Sequence, residues 1–140
     1  MPASKRPIIL DTHAWIWLFE GDPTIAGAAD RLNQAGAHGG LQVAAISVWE
    51  LAMLSAKGRI QLTVAPLRWV RTALTFSSIS LVPLSLEIAV ESANLPGDFH
   101  GDPADRMIVA SARILDYPLA TRDRKILEYG RAGHVNVLPI

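Results

Sequence analysis

Short apolar runs alternate with longer segments that repeat apolar residues at helical spacing, and this alternation restricts the fold more than any other feature of the sequence. Such alternation is typical of βαβ units, in which parallel strands are connected by helices. The short runs are almost uniformly apolar, as strands need to be when helices cover both faces of their sheet. The sequence therefore predicts an α/β fold, a three-layer α/β/α sandwich with a central parallel sheet.

This pattern places each strand and helix within a few residues. The predicted strands are residues 7–10, 41–46, 81–84, 118–120 and 135–138. The predicted helices are residues 12–20, 24–35, 47–57, 66–76, 86–94, 103–116 and 122–129. Because no repeat, low-complexity stretch or charged linker divides the sequence, one domain over residues 1–140 is expected.

Length and hydropathy limit the class of protein. A chain of 140 residues can bury a core without disulfides, and a hydrophobic content of 50% is too high for a disordered chain. The longest uninterrupted apolar run, residues 14–19, is far shorter than the roughly 20 residues of a membrane-spanning helix. Acidic residues interrupt the first apolar stretch, which disfavours a secretory leader. A cytoplasmic location without membrane contact is therefore expected.

Cysteine usage and charge exclude further classes. The sequence has no cysteine, which excludes disulfides, thiolate catalysis and cysteine-based zinc sites. Thirteen basic and thirteen acidic side chains give a formal net charge of zero, so the chain lacks the overall positive field of proteins that coat nucleic acids. Any nucleic-acid contact must then come from a local basic patch.

Acidic residues recur where predicted strands lead into helices. Asp11 directly follows the first strand, Glu50 lies one short turn after the second, and Asp123 follows the fourth. Asp102 and Asp105 bracket the start of the helix at 103–116, and their spacing places them on one face. If the sheet is parallel, these positions lie at its carboxyl edge, where open α/β sheets bind ligands.

Four of these acids also have a purely structural explanation. Ser47 and Glu50 have the spacing of a capping box, and Asp102 before a proline is a favourable N-cap. Asp105 and Asp123 in first turns complement the helix dipole. Their number and convergence favour function, because crowded carboxylates repel one another unless a cation neutralises them.

The expected cation is Mg²⁺, with Mn²⁺ as the alternative. Both ions prefer oxygen ligands, and Mg²⁺ keeps several of its waters. Such ions promote phosphodiester cleavage by lowering the pKa of a water molecule and by stabilising the leaving oxygen. The carboxylates would act mainly as ligands.

Four ordered motifs cover almost the whole chain. They are IILDTHA at 8–14 with Trp17, ISVWELA at 46–52 with KGR at 57–59, DPADRMIVA at 102–110, and LATRD at 119–123. Together they resemble the PIN-domain toxins of the VapC type. The resemblance implies the strand order 3-2-1-4-5 within the three-layer fold.

The same resemblance implies an activity and partners. It implies an endoribonuclease, the toxin of a type II toxin–antitoxin pair, which is inhibited by a cognate antitoxin and forms a homodimer or a hetero-oligomer with that antitoxin. The family's acidic positions correspond to Asp11, Glu50, Asp105 and Asp123, which are the expected catalytic and metal-binding residues. Asp102 is expected to be a further ligand or only the helix cap. Two threonines, Thr12 and Thr121, are expected to support the site.

Basic residues flank two of the acids. Arg106 follows Asp105, and Asp123 is surrounded by three more basic residues, Arg122, Arg124 and Lys125. These four are the candidates for RNA contacts, because positive charge beside a metal site suits a phosphate backbone. The alternative for each is an ordinary solvated surface charge.

The histidines carry a weaker signal. His13 lies two residues after Asp11, and a packing or supporting role near the site is favoured over direct contact with metal or substrate. His38, His100 and His134 lack a paired metal-binding spacing, so no function is assigned to them.

The tryptophans have two interpretations. Trp15 and Trp17 belong to a first helix that is apolar nearly all round, which favours core packing. Antitoxins of this type lay a segment into an apolar groove, so Trp15, Trp17 and Trp49 are also candidates for contact with a partner.

Two other functions are alternatives to a nuclease. An aspartate at the end of the first strand suits a haloacid-dehalogenase-like phosphatase. That family needs a second aspartate two residues later, where this sequence has His13. A non-catalytic PIN-fold binding module is the other rival, and the retention of every acidic position counts against it.

Overall fold

A computed structural model describes residues 6–37, 40–76 and 79–140. His38 lies outside these residues. The helices and strands follow one another in the order β1 Ile8–Leu10, α1 Thr12–Glu20, a 3₁₀ turn Pro23–Ile25, α2 Ala26–Ala37, β2 Leu41–Ala44, α3 Ala45–Ala56, α4 Pro66–Phe76, β3 Ile79–Val82, α5 Leu86–Ala93, α6 Pro103–Leu115, β4 Leu119–Thr121, α7 Arg124–Arg131 and β5 Val137–Pro139.

The five strands form one parallel sheet in the order β3-β2-β1-β4-β5. Ile9 of the central strand is in register with Gln42 of β2 and with Leu119 of β4. The predicted fold class and strand order are therefore confirmed. In the described residues, none of the helices has both the length and the apolar character needed to cross a bilayer.

Helices cover both faces of the sheet, as the uniformly apolar strands predict. Successive residues of β1 point to opposite faces. Leu10 packs in a cluster with Trp15 and Trp69, whereas Ile9 packs in a second cluster with Ile108 and other fully buried residues. The two clusters form the two interior layers of the sandwich.

Several predicted boundaries differ from the structure by about two residues, and those of the second and third strands are informative. The second strand was expected to continue to residue 46, but β2 ends at Ala44 and α3 begins at Ala45. Ser47 is consequently a buried residue within α3, so the predicted capping box does not form. The third strand lies two residues earlier than predicted and ends before Pro83, whose nitrogen has no hydrogen to donate to a strand ladder.

Replacing Ile9 by alanine is expected to lower the free energy of unfolding by about 2–5 kcal/mol, because it opens a cavity beneath the central strand. Ile9 is fully buried, whereas Leu86 is 83% exposed. Leu86→Ala is therefore the matched control and should change stability by no more than about 0.5 kcal/mol. Urea unfolding followed by circular dichroism measures both variants. Equal effects would contradict the assignment of Ile9 to the core.

Candidate metal centre

The acidic residues meet at the carboxyl edge of the sheet. Asp11 follows β1 and Asp123 follows β4, while Glu50 lies in the second turn of α3 after β2. Asp102 and Asp105 lie at the N-terminus of α6. The polypeptide thus reaches this edge at four separate places along the sequence.

Carboxylate oxygens of Glu50, Asp102 and Asp105 lie within 4.8 Å of one another. A cavity of about 360 Å³ adjoins this group and is also lined by Asp11 and Asp123. The structure therefore brings together all five acids that the sequence singled out.

Asp11 is held in a fixed orientation. It is almost completely buried, and both of its oxygens accept hydrogen bonds: Oδ1 from the Thr12 backbone N–H at 2.8 Å, and Oδ2 from the Thr121 hydroxyl at 2.7 Å. The Thr121 oxygen in turn accepts the backbone N–H of Asp123 at 3.0 Å. Thr121 therefore links the acids that follow β1 and β4.

Thr12 connects the first acid to α3. Its hydroxyl donates to Oγ of Ser47 at 2.8 Å, and both side chains are buried. The Thr12 side chain also interacts with Glu50 and opposes the rise in the pKa of that carboxyl. The two threonines thus lie where a supporting role was expected.

Asp102 and Asp123 each serve as a helix cap. Oδ1 of Asp102 accepts the backbone N–H of Asp105 at 3.0 Å, and Oδ1 of Asp123 accepts that of Ile126 at 3.1 Å. A carboxylate has a second oxygen, so capping and cation binding are compatible in one side chain. A ligand role for each stays a prediction.

Crowding and burial raise the pKa of three of these carboxyls. The pKa of Asp105 is raised to about 8, first by burial and then by repulsion from Asp11, Asp102, Glu50 and Asp123. Burial is also the main cause of the raised pKa values of Asp11 and Glu50. A hard divalent cation relieves this repulsion, and a set of carboxylate oxygens suits such an ion.

His100 is a site residue that the sequence did not identify. Its Nε2 lies 3.3 Å from Oδ2 of Asp105, and its Nδ1 accepts the backbone N–H of Asp102 at 3.3 Å. The signal available in the sequence was its position two residues before the DPAD motif. Paired histidine spacing does not identify His100, because the side chain that it contacts in the structure is a carboxylate.

Of the four basic candidates, Arg106 is placed differently from the expectation. Its guanidinium donates to the carbonyls of Ser92, Phe99 and His100 at 2.8, 3.0 and 3.1 Å. These hydrogen bonds hold the loop before α6 in place, and they engage the guanidinium group that was expected to contact RNA. This placement does not support an RNA contact by Arg106.

The other three basic candidates lie beside the acids. Arg122 lines the 360 Å³ cavity. A second cavity, of about 560 Å³, is lined by Arg124 and Lys125 and shares Asp105 and Asp123 with the first. Their contact with RNA stays a prediction.

The aromatic candidates separate into buried and accessible residues. Trp15 is completely buried with its ring 5.1 Å from that of Trp69, so its proposed contact with a partner is incompatible with this fold. Trp17 lines the 360 Å³ cavity together with His13, and Trp49 is 56% exposed. The expected place of His13 near the site agrees with its position in this cavity wall.

We expect the stability of metal-free Asp105→Asn to depend less on pH than that of the unchanged protein. Because the folded-state pKa of Asp105 is raised from 3.8 to about 8, the folded chain retains a proton that the unfolded chain releases. The unchanged protein should therefore lose stability, relative to the variant, as pH rises through this range. Urea unfolding in a chelator at several pH values measures the difference.

The control for this experiment is Asp30→Asn, which removes an exposed carboxylate on α2. Asp30→Asn should keep the pH dependence of the unchanged protein. Parallel curves for Asp105→Asn and the unchanged protein would contradict the raised pKa.

Comparison with known proteins agrees with the predicted fold and family. Residues 8–132 match the PIN domain family. Ribonuclease VapC22 of Mycobacterium tuberculosis is 34% identical over 131 residues, which cover 93% of this chain and 97% of the relative. A DNA-bound VapBC structure from Salmonella typhimurium has a TM-score of 0.69 at 17% identity and covers 96% of this chain and 98% of its own. A toxin–antitoxin complex from Klebsiella pneumoniae has a TM-score of 0.62 at 21% identity, and the match covers 94% of this chain and 95% of that chain.

At these low identities the two structures show a shared fold, whereas the family match and the relative extend over the motifs of the sequence. The resemblance drawn from the four motifs is thereby confirmed, and the chain belongs to the PIN-domain family.

Proposed function

We propose that this chain is a metal-dependent endoribonuclease and the toxin of a type II toxin–antitoxin pair. The observation that carries the proposal is the convergence of five carboxylates at one edge of the sheet, where four of them line one cavity and three have raised pKa values. The 34% identical relative, Ribonuclease VapC22, is a ribonuclease, and this supports the reaction class. The proposed ligands are Asp11, Glu50, Asp105 and Asp123, with Asp102 as a further one.

Mg²⁺ is the proposed ion, with Mn²⁺ as a substitute. The cluster offers carboxylate oxygens and no sulfur, which suits a hard cation. A divalent ion held there would supply the positive charge that activates a water molecule and offsets the charge developing on the phosphate.

The residues around the acids have separate tasks in this proposal. Thr12 and Thr121 hold Asp11 so that its oxygens cannot rotate away from the cavity. Arg122 in one cavity, and Arg124 with Lys125 in the other, would bind phosphates near the cleaved bond. Binding in both cavities would align the RNA with the acids that the cavities share.

Partner binding is part of the same proposal. Solved structures with the same fold include VapBC complexes and another toxin–antitoxin complex. We propose that a cognate antitoxin binds this chain and inhibits cleavage, in a homodimer of the toxin or a hetero-oligomer. Trp17 and Trp49 stay the accessible candidates for that contact among the three tryptophans proposed.

The residues around the cavity argue against both rival functions. A phosphatase of the haloacid-dehalogenase type would need a second aspartate in the cavity wall where His13 stands. A binding module without catalysis would not need to retain carboxylates whose burial and mutual repulsion raise the pKa of Asp105 to about 8.

Removing Asp11 or Asp105 is expected to abolish metal-dependent RNA cleavage. Loss of a group that hydrogen-bonds to a metal ligand typically lowers activity about 10–100-fold, and loss of the ligand itself should lower it further. Asp11→Asn and Asp105→Asn are assayed on total RNA with Mg²⁺, with Mn²⁺ and with chelator. Asp30→Asn, on the exposed face of α2, should cleave like the unchanged protein.

Two results would overturn the nuclease proposal. One is cleavage that persists undiminished in chelator. The other is full activity of a correctly folded Asp11→Asn variant.

Thr121→Val is expected to reduce cleavage by about 10–100-fold, the usual effect of losing a group that orients a ligand. Valine keeps the shape of threonine but removes the hydroxyl that donates to Asp11 and accepts from Asp123. Thr121→Ser keeps that hydroxyl and should restore most of the activity. If the serine and valine variants lose equal activity, the hydroxyl does not support the site and Thr121 acts through packing alone.

A further inference from the structure

The loop between α5 and α6 places a histidine beside the acids. Nδ1 of His100 accepts the backbone N–H of Asp102 at 3.3 Å, and Nε2 lies 3.3 Å from Oδ2 of Asp105. One imidazole thus contacts both acidic residues at the start of α6. The proposed ligands and the two supporting threonines do not include this side chain.

The contacts of the imidazole determine which of its nitrogens carries the hydrogen. A nitrogen that accepts an N–H must offer a lone pair, so Nδ1 of His100 carries no hydrogen. The single ring hydrogen is then on Nε2, the nitrogen that lies near Asp105. His100 therefore presents a donor to this carboxylate and has no free lone pair with which to bind a cation.

Nε2 of His100 is a buried donor that needs an acceptor. Within residues 6–37, 40–76 and 79–140 this nitrogen makes no hydrogen bond of good geometry, and Oδ2 of Asp105 lies 3.3 Å away. Leaving a buried N–H unpaired is costly. The donor therefore favours the orientation of the Asp105 carboxylate that keeps Oδ2 toward His100.

Asp105 needs such a donor because its neighbours repel it. Four other carboxylates act on its charge. Asp11 is held against the same kind of repulsion by hydrogen bonds to both of its oxygens. Among the residues that the structure describes, His100 is the donor that contacts the side-chain oxygens of Asp105. His100 thus stands to Asp105 as Thr121 stands to Asp11.

The loop that carries His100 is held at several points. The Arg106 guanidinium donates to the carbonyls of Phe99 and His100 at 3.0 and 3.1 Å, and the imidazole lies against the Phe99 ring with centroids 4.3 Å apart. Tyr129 packs against the Phe99 ring at 4.8 Å and donates its hydroxyl to the Pro96 carbonyl. The imidazole is therefore held in place by contacts other than the one with the acid.

We propose that His100 is a positioning residue of the metal centre, which donates from Nε2 to one oxygen of Asp105 and leaves the other oxygen to the cation. This inference rests on the proposed function and adds a residue to its site. A carboxylate has two oxygens, so one can accept a hydrogen bond while the other binds a metal ion. Groups that hydrogen-bond to a ligand orient it and strengthen its hold on the metal.

Two substitutions of similar shape separate the donor from the loop contact. Glutamine places its amide near the position of Nε2, whereas asparagine places its amide near the position of Nδ1. His100→Gln can therefore still donate to Asp105 but loses the bond from the Asp102 N–H. His100→Asn can still accept that N–H but does not reach Asp105.

The matched control is His134→Gln. His134 lies against the ring of Tyr129 at 4.7 Å, much as His100 lies against that of Phe99, and its Nε2 is next to Gly97 of the same loop. This variant removes an imidazole that packs on the loop without removing the donor near Asp105.

Mn²⁺ binding to the protein without RNA, followed by electron paramagnetic resonance, gives an affinity that does not depend on cleavage. His100→Asn should weaken Mn²⁺ binding by about 10–100-fold, and His100→Gln should retain most of the affinity. A role in the loop alone predicts the opposite order, because only asparagine keeps the bond from Asp102. His134→Gln should bind Mn²⁺ like the unchanged protein, and RNA cleavage should follow the same order as the affinities.

¹⁵N NMR of the histidine rings in chelator gives a second readout. In the unchanged protein, Nδ1 of His100 should be the nitrogen without a hydrogen. The Nε2–H signal should shift in Asp105→Ala, which removes the acceptor, and should stay in place in Asp30→Asn, which changes an exposed carboxylate on α2.

The inference is overturned if His100→Asn binds Mn²⁺ as well as or better than His100→Gln, or if the hydrogen of the ring is on Nδ1. It is also overturned if the resonance of bound Mn²⁺ shows direct coordination by a nitrogen of His100, because the imidazole would then be a ligand. Failure of the nuclease proposal is a separate outcome. A protein that binds Mn²⁺ but cuts no RNA would sink that proposal and leave the order of affinities to decide the role of His100, whereas a protein that binds no divalent ion would sink both.

Discussion

Parallel pairing of β1 with both β2 and β4 brings the chain to the same edge of the sheet after each of these strands. This constraint gathers Asp11, Glu50 and Asp123 although they are far apart in sequence. In an antiparallel arrangement the neighbouring strands would end at opposite edges, and the acids would separate. The N-terminus of α6 adds Asp102 and Asp105 to the same place.

Gathering these acids has an electrostatic cost, and the surrounding residues reduce only part of it. Hydrogen bonds from Thr12 and Thr121 lower the pKa of Asp11, yet burial still leaves it raised. Asp105 faces four other carboxylates, and its pKa of about 8 means that, without a cation, it is often protonated at neutral pH. A divalent cation bound by these oxygens would offset the repulsion that remains.

The features that the sequence predicts correctly are those with a local or periodic signal. The apolar runs predict the strands and the three layers, and the ends of those runs locate Asp11 and Asp123. The strand order came from the family resemblance, because hydrophobic periodicity does not specify which strands are neighbours. The β2–α3 boundary was missed because the apolar run continues into α3 without a Gly, Pro or capping side chain at Ala44.

The sequence does not predict the placement of side chains whose contacts lie with residues outside their own motif. Which of Trp15 and Trp17 is buried depends on how α1 meets Trp69 of α4, more than 50 residues later. The guanidinium of Arg106 is taken up by carbonyls of the loop that precedes α6, a geometry that adjacency to Asp105 does not reveal.

The two cavities that share Asp105 and Asp123 bear on how a polynucleotide would lie. Arg122 lines one cavity and Arg124 the other, and Asp105 and Asp123 belong to the walls of both. An enzyme that removes terminal nucleotides needs a wall at its metal site to stop the chain end. Under the proposed function, a strand that passed from one cavity into the other would be cut within its length, because the shared acids lie between its two ends.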